Sequence, residues 1–144
     1  MKIVIIGGVA AGMSAAAKAR RVDKEAEITV FEMGEIISFG DCGLPYFVGD
    51  FFSNPNYMLA RSVEQMQEAG IDVRTSHLVL SVSPETKTVE VKELQSREVF
   101  TQQYDKLLVA TDANVIKPPV HNIGLKNIFT LTKMEDGKQM KAAA

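Results

Sequence analysis

A short strand pattern at positions 2–6, β-branched from Ile3 to Ile6, leads into Gly7-Gly8-Val9-Ala10-Ala11-Gly12, and an alanine-rich stretch with helical spacing follows. That order constrains the chain more than any other feature. Gly7 permits a tight turn, Gly12 lets a helix approach the strand closely, and the free N–H groups of the helix start can face a pyrophosphate. A second apolar run at 28–32 ends on Glu32, 20 residues after Gly12, where a carboxylate can accept hydrogen bonds from a ribose. Residues 2–32 therefore read as one βαβ unit for a dinucleotide. Val9 stands where the middle glycine of the pattern is usual. A structural turn followed by a surface glutamate is the competing reading.

The same opening residues carry features of a secretory signal: Lys2, an apolar stretch and Ala15-Ala16-Ala17. The glycines interrupt that stretch at turn-like spacing, and Arg20-Arg21 continue the helical pattern, so a folded start is expected. Charge is nearly balanced, 16 Lys and Arg against 18 Asp and Glu for a net of −2. This argues against nucleic acid or an anionic membrane as partner. No apolar run approaches the roughly 18 residues of a membrane span. The single cysteine excludes an internal disulfide and suits a reducing cytoplasm.

Along the chain the first helix is predicted from 13 to 22. A short helix is expected around Cys42, with Pro45 in its first turn. Ser62 with Gln65 forms a capping box for a helix to Ala69, which Gly70 ends. Residues 77–83, 88–94 and 98–102 alternate as an antiparallel meander. Residues 106–110 read as a buried parallel strand, 112–127 as a linker with Pro118-Pro119, and 128–131 as a short strand before a helix from Thr132. The fold class is α/β, a three-layer Rossmann-like domain with an antiparallel β-meander. Neither His77 nor His121 has companions at metal-ligand spacing, so no metal site is read.

Ser38-Phe39-Gly40-Asp41-Cys42-Gly43-Leu44-Pro45-Tyr46 is the second informative segment. With the glycine turn, Glu32 and residues 104–111, it resembles the single-cysteine pyridine nucleotide-disulfide oxidoreductases, which include CoA-disulfide reductases, NADH oxidases and NADH peroxidases. The resemblance implies that residues 1–144 are the N-terminal part of an FAD-binding domain. The nicotinamide-binding and C-terminal dimerisation domains of a full-length, homodimeric parent lie outside them. It implies FAD contacts at Gly7, Gly8, Ala10, Ala11, Gly12, Glu32, Met33, Val79, Ala110, Thr111 and Asp112. Asp112 replaces the glycine of an Ala-Thr-Gly motif and could tolerate a positive φ, although it brings charge near the pyrophosphate. Asn114-Val115 and His121-Asn122 stand where Asn-Pro and Pro-Gly are usual.

The implied activity is NAD(P)H-dependent reduction of CoA disulfide or another small disulfide or persulfide, with Cys42 relaying an electron pair from the flavin. Without a second cysteine, the oxidised partner of Cys42 must be a substrate sulfur or an oxygen. A helix N-terminus would favour its thiolate, while Asp41 opposes it; a buried, inert cysteine is the alternative. Peroxidases of the family and many of its oxidases carry a histidine where Ala10 stands, so an oxidase or peroxidase using a cysteine sulfenic acid is the second reading. A non-catalytic flavin-binding fragment is the third. Ser14, Lys18 and Arg21 correspond to CoA-holding positions, with Ser38 and Asp41 flanking its sulfur end. Lys18 and Arg21 share one helix face and could equally be a solvated basic surface.

Overall fold

The structure, a computed structural model, describes residues 1–143. Its helices are α1 (Ala10–Val22), α2 (Leu44–Val48), α3 (Val63–Glu68) and α4 (Met134–Ala143). Its strands are β1 (Lys2–Ile6), β2 (Glu27–Phe31), β3 (Asp72–Arg74), β4 (His77–Ser83), β5 (Thr88–Glu93), β6 (Val99–Gln103) and β7 (Lys106–Val109). They divide between two compact units, one formed by residues 1–39 with 61–111, the other by 40–60 with the chain from 112 onward.

The first unit is built in three layers. Its centre is a parallel sheet in the order β3-β2-β1-β7. Successive side chains of a strand point to opposite faces, so a strand covered on both sides must be apolar throughout. β1 shows this: Ile5 packs with Met13 and Ala16 of α1 and Met66 of α3, whereas Val4 and Ile6 pack with Val89 and Val91 of β5. The layer behind Val4 and Ile6 is the predicted antiparallel meander, ordered β4-β5-β6, with a bulge between Val79 and Ser81. Each of these fully buried aliphatic side chains contributes about 1.5–3 kcal/mol.

The capping box forms: the Ser62 hydroxyl accepts from the Gln65 N–H at 3.3 Å, and the Gln65 side chain accepts from the Ser62 N–H at 3.0 Å. Gly70 then takes φ +79°. The Arg20 guanidinium donates to the carbonyls of Lys24 and Gly70, each at 2.6 Å, and so straps the end of α1 to the end of α3.

Three expectations for this unit need correction. Helix α1 begins at Ala10 rather than Met13, because two alanines propagate a helix well and Gly12 is accommodated in the first turn. Asp72–Arg74 forms the unanticipated β3, paired in parallel with β2; three residues are too few to show a periodicity. Residues 106–110 give a parallel strand beside β1, but β7 is the sheet's edge and is not buried: Val109 is 59% exposed.

In the second unit, a 3-10 turn at Asp41–Gly43 leads into α2, whose first turn holds Pro45. Leu44 and Phe47 are buried, as are Met134 and Gly137 of α4. Gly137 allows close approach of the two helices, since a Cβ there would lie 3.0 Å from Leu44 Cδ2. Lys141 crosses to the far end of α2. Its ammonium donates to the Phe47 carbonyl at 2.9 Å, pairs with the Asp50 carboxylate and lies 4.7 Å from the Phe47 ring centre.

The helix expected from Thr132 is α4. Its start is capped by the Asp136 carboxylate, which accepts from the Thr132 N–H, the Thr132 hydroxyl and the Lys133 N–H at 3.0–3.1 Å. Residues 128–131 do not form a strand. Among the described residues no strand pairs with them, and the Ile128 N–H instead closes a turn on the Leu125 carbonyl. The expected linker is exposed throughout 112–121. Asp112 (φ 64°) and Asn122 (φ 63°) both adopt the left-handed conformation.

Candidate functional site

The glycine turn takes its shape from contacts that no larger residue would permit. Gly7 has φ +104° and donates to the Phe31 carbonyl at 2.8 Å. A Cβ on Gly7 would fall on the Ala110 carbonyl oxygen, and one on Gly12 would fall on the carbonyl oxygen of Gly7. β1, the helix start and the end of β7 therefore meet through backbone. Ala110 continues the β1 pairing, its N–H reaching the Ile6 carbonyl at 2.8 Å. Thr111 beyond it is exposed.

Helix α1 starts without a cap. Its N-cap residue is Val9, no side chain bonds to its first N–H groups, and its first turn contains no acid. Ala10 and Ala11 are exposed there. A 13-residue helix concentrates about half a positive charge at this end. With no side chain bonded to the first N–H groups of α1, the helix start fits the pyrophosphate of a dinucleotide, whose oxygens would take the N–H groups that the chain itself leaves free.

Glu32 follows the last residue of β2. One carboxylate oxygen accepts from the Gly8 N–H at 2.6 Å and the other from the Gly34 N–H at 2.7 Å. The acid thus clamps the glycine turn to the turn after β2, a role that sequence reasoning missed. Gly34, two residues beyond the acid, is the only signal of it in the sequence. Two accepted bonds leave lone pairs for a ribose hydroxyl. Met33 beside it is exposed, and Val79 is half-buried against the meander core.

On α1, Ser14, Lys18 and Arg21 are all exposed and share one face. Among the described residues Lys18 and Arg21 have no ion-pair partner, in contrast to Arg20, whose two terminal guanidinium nitrogens donate to carbonyls. Ser38, also in the first unit, is half-buried with φ 51° and donates its N–H to the Gly8 carbonyl at 2.8 Å.

In the second unit Cys42 occupies the 3-10 turn and is exposed, so the buried-cysteine alternative does not hold. The turn is closed by the Gly43 N–H on the Gly40 carbonyl at 2.9 Å. Asp41 bends back to accept the Cys42 N–H at 3.0 Å. A Cβ on Gly40 would lie 4.0 Å from Cys42 Sγ, so the sulfur sits beside Gly40, over a position without a side chain. Asp112 holds the Ala113 N–H at 2.7 Å with its own carboxylate. Among the described residues no three His, Cys, Asp or Glu side chains could hold a metal ion, and no helix is long and apolar enough to cross a membrane.

The family model for pyridine nucleotide-disulphide oxidoreductases matches residues 1–144. A coenzyme A disulfide reductase of Staphylococcus haemolyticus is 37% identical over 138 residues, covering 94% of this chain and 30% of the relative. The crystal structure of reduced CoADR-RHD from Bacillus anthracis superposes with TM-score 0.94 at 38% identity, over 98% of this chain and 26% of that one. An NAD-dependent persulfide reductase of A. fulgidus superposes with TM-score 0.93 at 34% identity, over 99% and 27%. The chain thus spans about a third or less of the length of these relatives.

Proposed function

Because the chain belongs to the pyridine nucleotide-disulphide oxidoreductase family, we propose that it forms the FAD-binding part of an NAD(P)H-dependent enzyme reducing CoA disulfide or a related persulfide. The observation that carries the flavin reading is the uncapped N-terminus of α1 beside a glutamate already held in place. N–H groups of Ala10, Ala11 and Gly12 bind the pyrophosphate, and Glu32 takes a ribose hydroxyl without releasing Gly8 or Gly34. Ala110, Thr111 and Asp112 would also contact the cofactor, and Val79 would offer backbone to the adenine.

FAD, when bound, supplies the electron pair from NAD(P)H that returns a mixed disulfide to two thiolates. Cys42 makes that mixed disulfide: its thiolate attacks one sulfur of the substrate, the substrate S–S bond breaks, and one thiolate leaves. An exposed sulfur on a short turn is open to such an attack. Ser14, Lys18 and Arg21 hold the phosphates of the substrate, and Ser38 and Asp41 flank its sulfur end. Ala10 favours this reading over a peroxidase, because its methyl group cannot donate a hydrogen bond to a peroxide or sulfenate oxygen.

Two measurements test the proposal. Titration of the chain with FAD should quench flavin fluorescence saturably, and absence of binding would refute the cofactor assignment. A chimera placing residues 1–144 in the Staphylococcus haemolyticus relative should release thiol from CoA disulfide with NADH or NADPH. Faster turnover of peroxide or oxygen than of CoA disulfide would move the assignment to the oxidases. FAD binding without turnover of any of them would leave a flavin-binding segment alone.

A further inference from the structure

The turn that presents Cys42 is held at both ends by one residue that no part of the chemistry above requires. The Met58 carbonyl accepts the Gly40 N–H at 2.8 Å, where the turn begins. Where it ends, the Met58 side chain lies so close to Gly43 that a Cβ there would be 2.9 Å from both Cγ and Sδ. Met58 is 8% exposed and closes a 3-10 turn of its own, Pro55–Met58, whose start is fixed by Asn54 accepting the Asn56 N–H. Gly43 has φ −77° and ψ −17°, which any residue can adopt, so its lack of a side chain answers to the Met58 contact and not to the backbone. Between these anchors, Asp41 and Cys42 are exposed.

We infer that Met58 is a positioning residue for Cys42, fixing the turn so that the sulfur keeps one direction in spite of its exposure. This rests on the reading of Cys42 as the thiolate that attacks the substrate disulfide. Such an attack requires the sulfur in line with the S–S bond, and misplacement by about 1 Å lowers a rate up to a hundredfold. Packed side chains beneath a short turn supply that constraint, since interiors yield little.

The chain's single cysteine makes the test direct. A nitroxide attached to Cys42 in the full chain reports nanosecond motion of the turn through its central line width. Met58→Ala should narrow that line, and Met58→Leu, which keeps the volume, should restore it. Gly43→Ala should narrow it as well by forcing the turn off Met58 without emptying the core, and it serves if Met58→Ala does not fold. In the chimera with the Staphylococcus haemolyticus relative, Met58→Ala or Gly43→Ala should lower kcat for CoA disulfide about tenfold, with KM for CoA disulfide unchanged. An unchanged line in folded variants would overturn the hold of Met58 on the turn. A narrowed line with unchanged kcat would reduce Met58 to packing. An inactive wild-type chimera would count against the function proposed above, while the line width would still uphold or overturn the hold itself.

Discussion

Glu32→Gln removes a charge from the polar clamp on the glycine turn and leaves its shape almost untouched. The carboxylate satisfies two backbone N–H groups, Gly8 at 2.6 Å and Gly34 at 2.7 Å, both partly buried. A glutamine offers one oxygen, so one N–H must face an NH2 group instead. Hydrogen bonds to a charged acceptor contribute about 1.5–3 kcal/mol, and a buried donor left unpaired costs a similar amount. The variant should therefore lose about 2 kcal/mol, or about 6–8 °C of melting temperature for a domain of this size. Circular dichroism melting of the chain without any cofactor measures this, with urea unfolding as the independent check. A melting temperature within about 1 °C of wild type would refute the clamp and return Glu32 to the role of a ligand for ribose alone.

Gly12→Ala should cost about 3 kcal/mol or more in urea unfolding, because the new methyl falls on the Gly7 carbonyl oxygen, which is backbone and cannot step aside. Partial burial raises the pKa of Asp136, but the Thr132 and Lys133 donors and the Lys133 charge outweigh it and hold the carboxyl below its usual value. Its stabilisation of α4 is thus fully present above about pH 4 and is lost as pH falls through the lowered folded value; Asp136→Asn should flatten that acid limb in melting curves from pH 6 to pH 3. In the chimera, Lys18→Ala with Arg21→Ala should raise KM for CoA disulfide about tenfold, as loss of two charge-assisted contacts would, and should spare NADH-driven flavin reduction. An unchanged KM would make that face of α1 a solvated surface.

The parts of the fold that could be read in the sequence are those determined by neighbours in the chain. The glycine turn, the capping box at Ser62 and the alternation of the meander are local patterns, and each formed at or near its predicted position. Asp112 and Asn122, two residues whose short side chains tolerate the left-handed region, adopt it. What escaped was set by partners distant in sequence. The three residues of β3 become a strand because β2 pairs with them. Residues 106–109 and 128–131 have similar apolar character, yet only the first stretch has a strand to pair with, and even it lies at an edge. At the candidate site the cysteine and the glutamate were legible as residue types in context. The second hydrogen bond of Glu32 and the contact of Met58 beneath Gly43 were not, since neither belongs to a repeating pattern.

The bond from Lys141 to the Phe47 carbonyl joins residues 94 apart in the chain, and this separates the two units in time. The strands β1 and β2 and the helix between them lie within residues 2–31, so their pairing involves a short loop and can precede the synthesis of the later elements. Helix α2 is complete soon afterwards, but the partner that buries Leu44 and Phe47 is made about ninety residues later. Closing so long a loop adds only modestly to the entropy, which grows with the logarithm of its length. The delay is therefore kinetic: during synthesis, the side of α2 that meets α4 should stay uncovered until residues 134–143 are made.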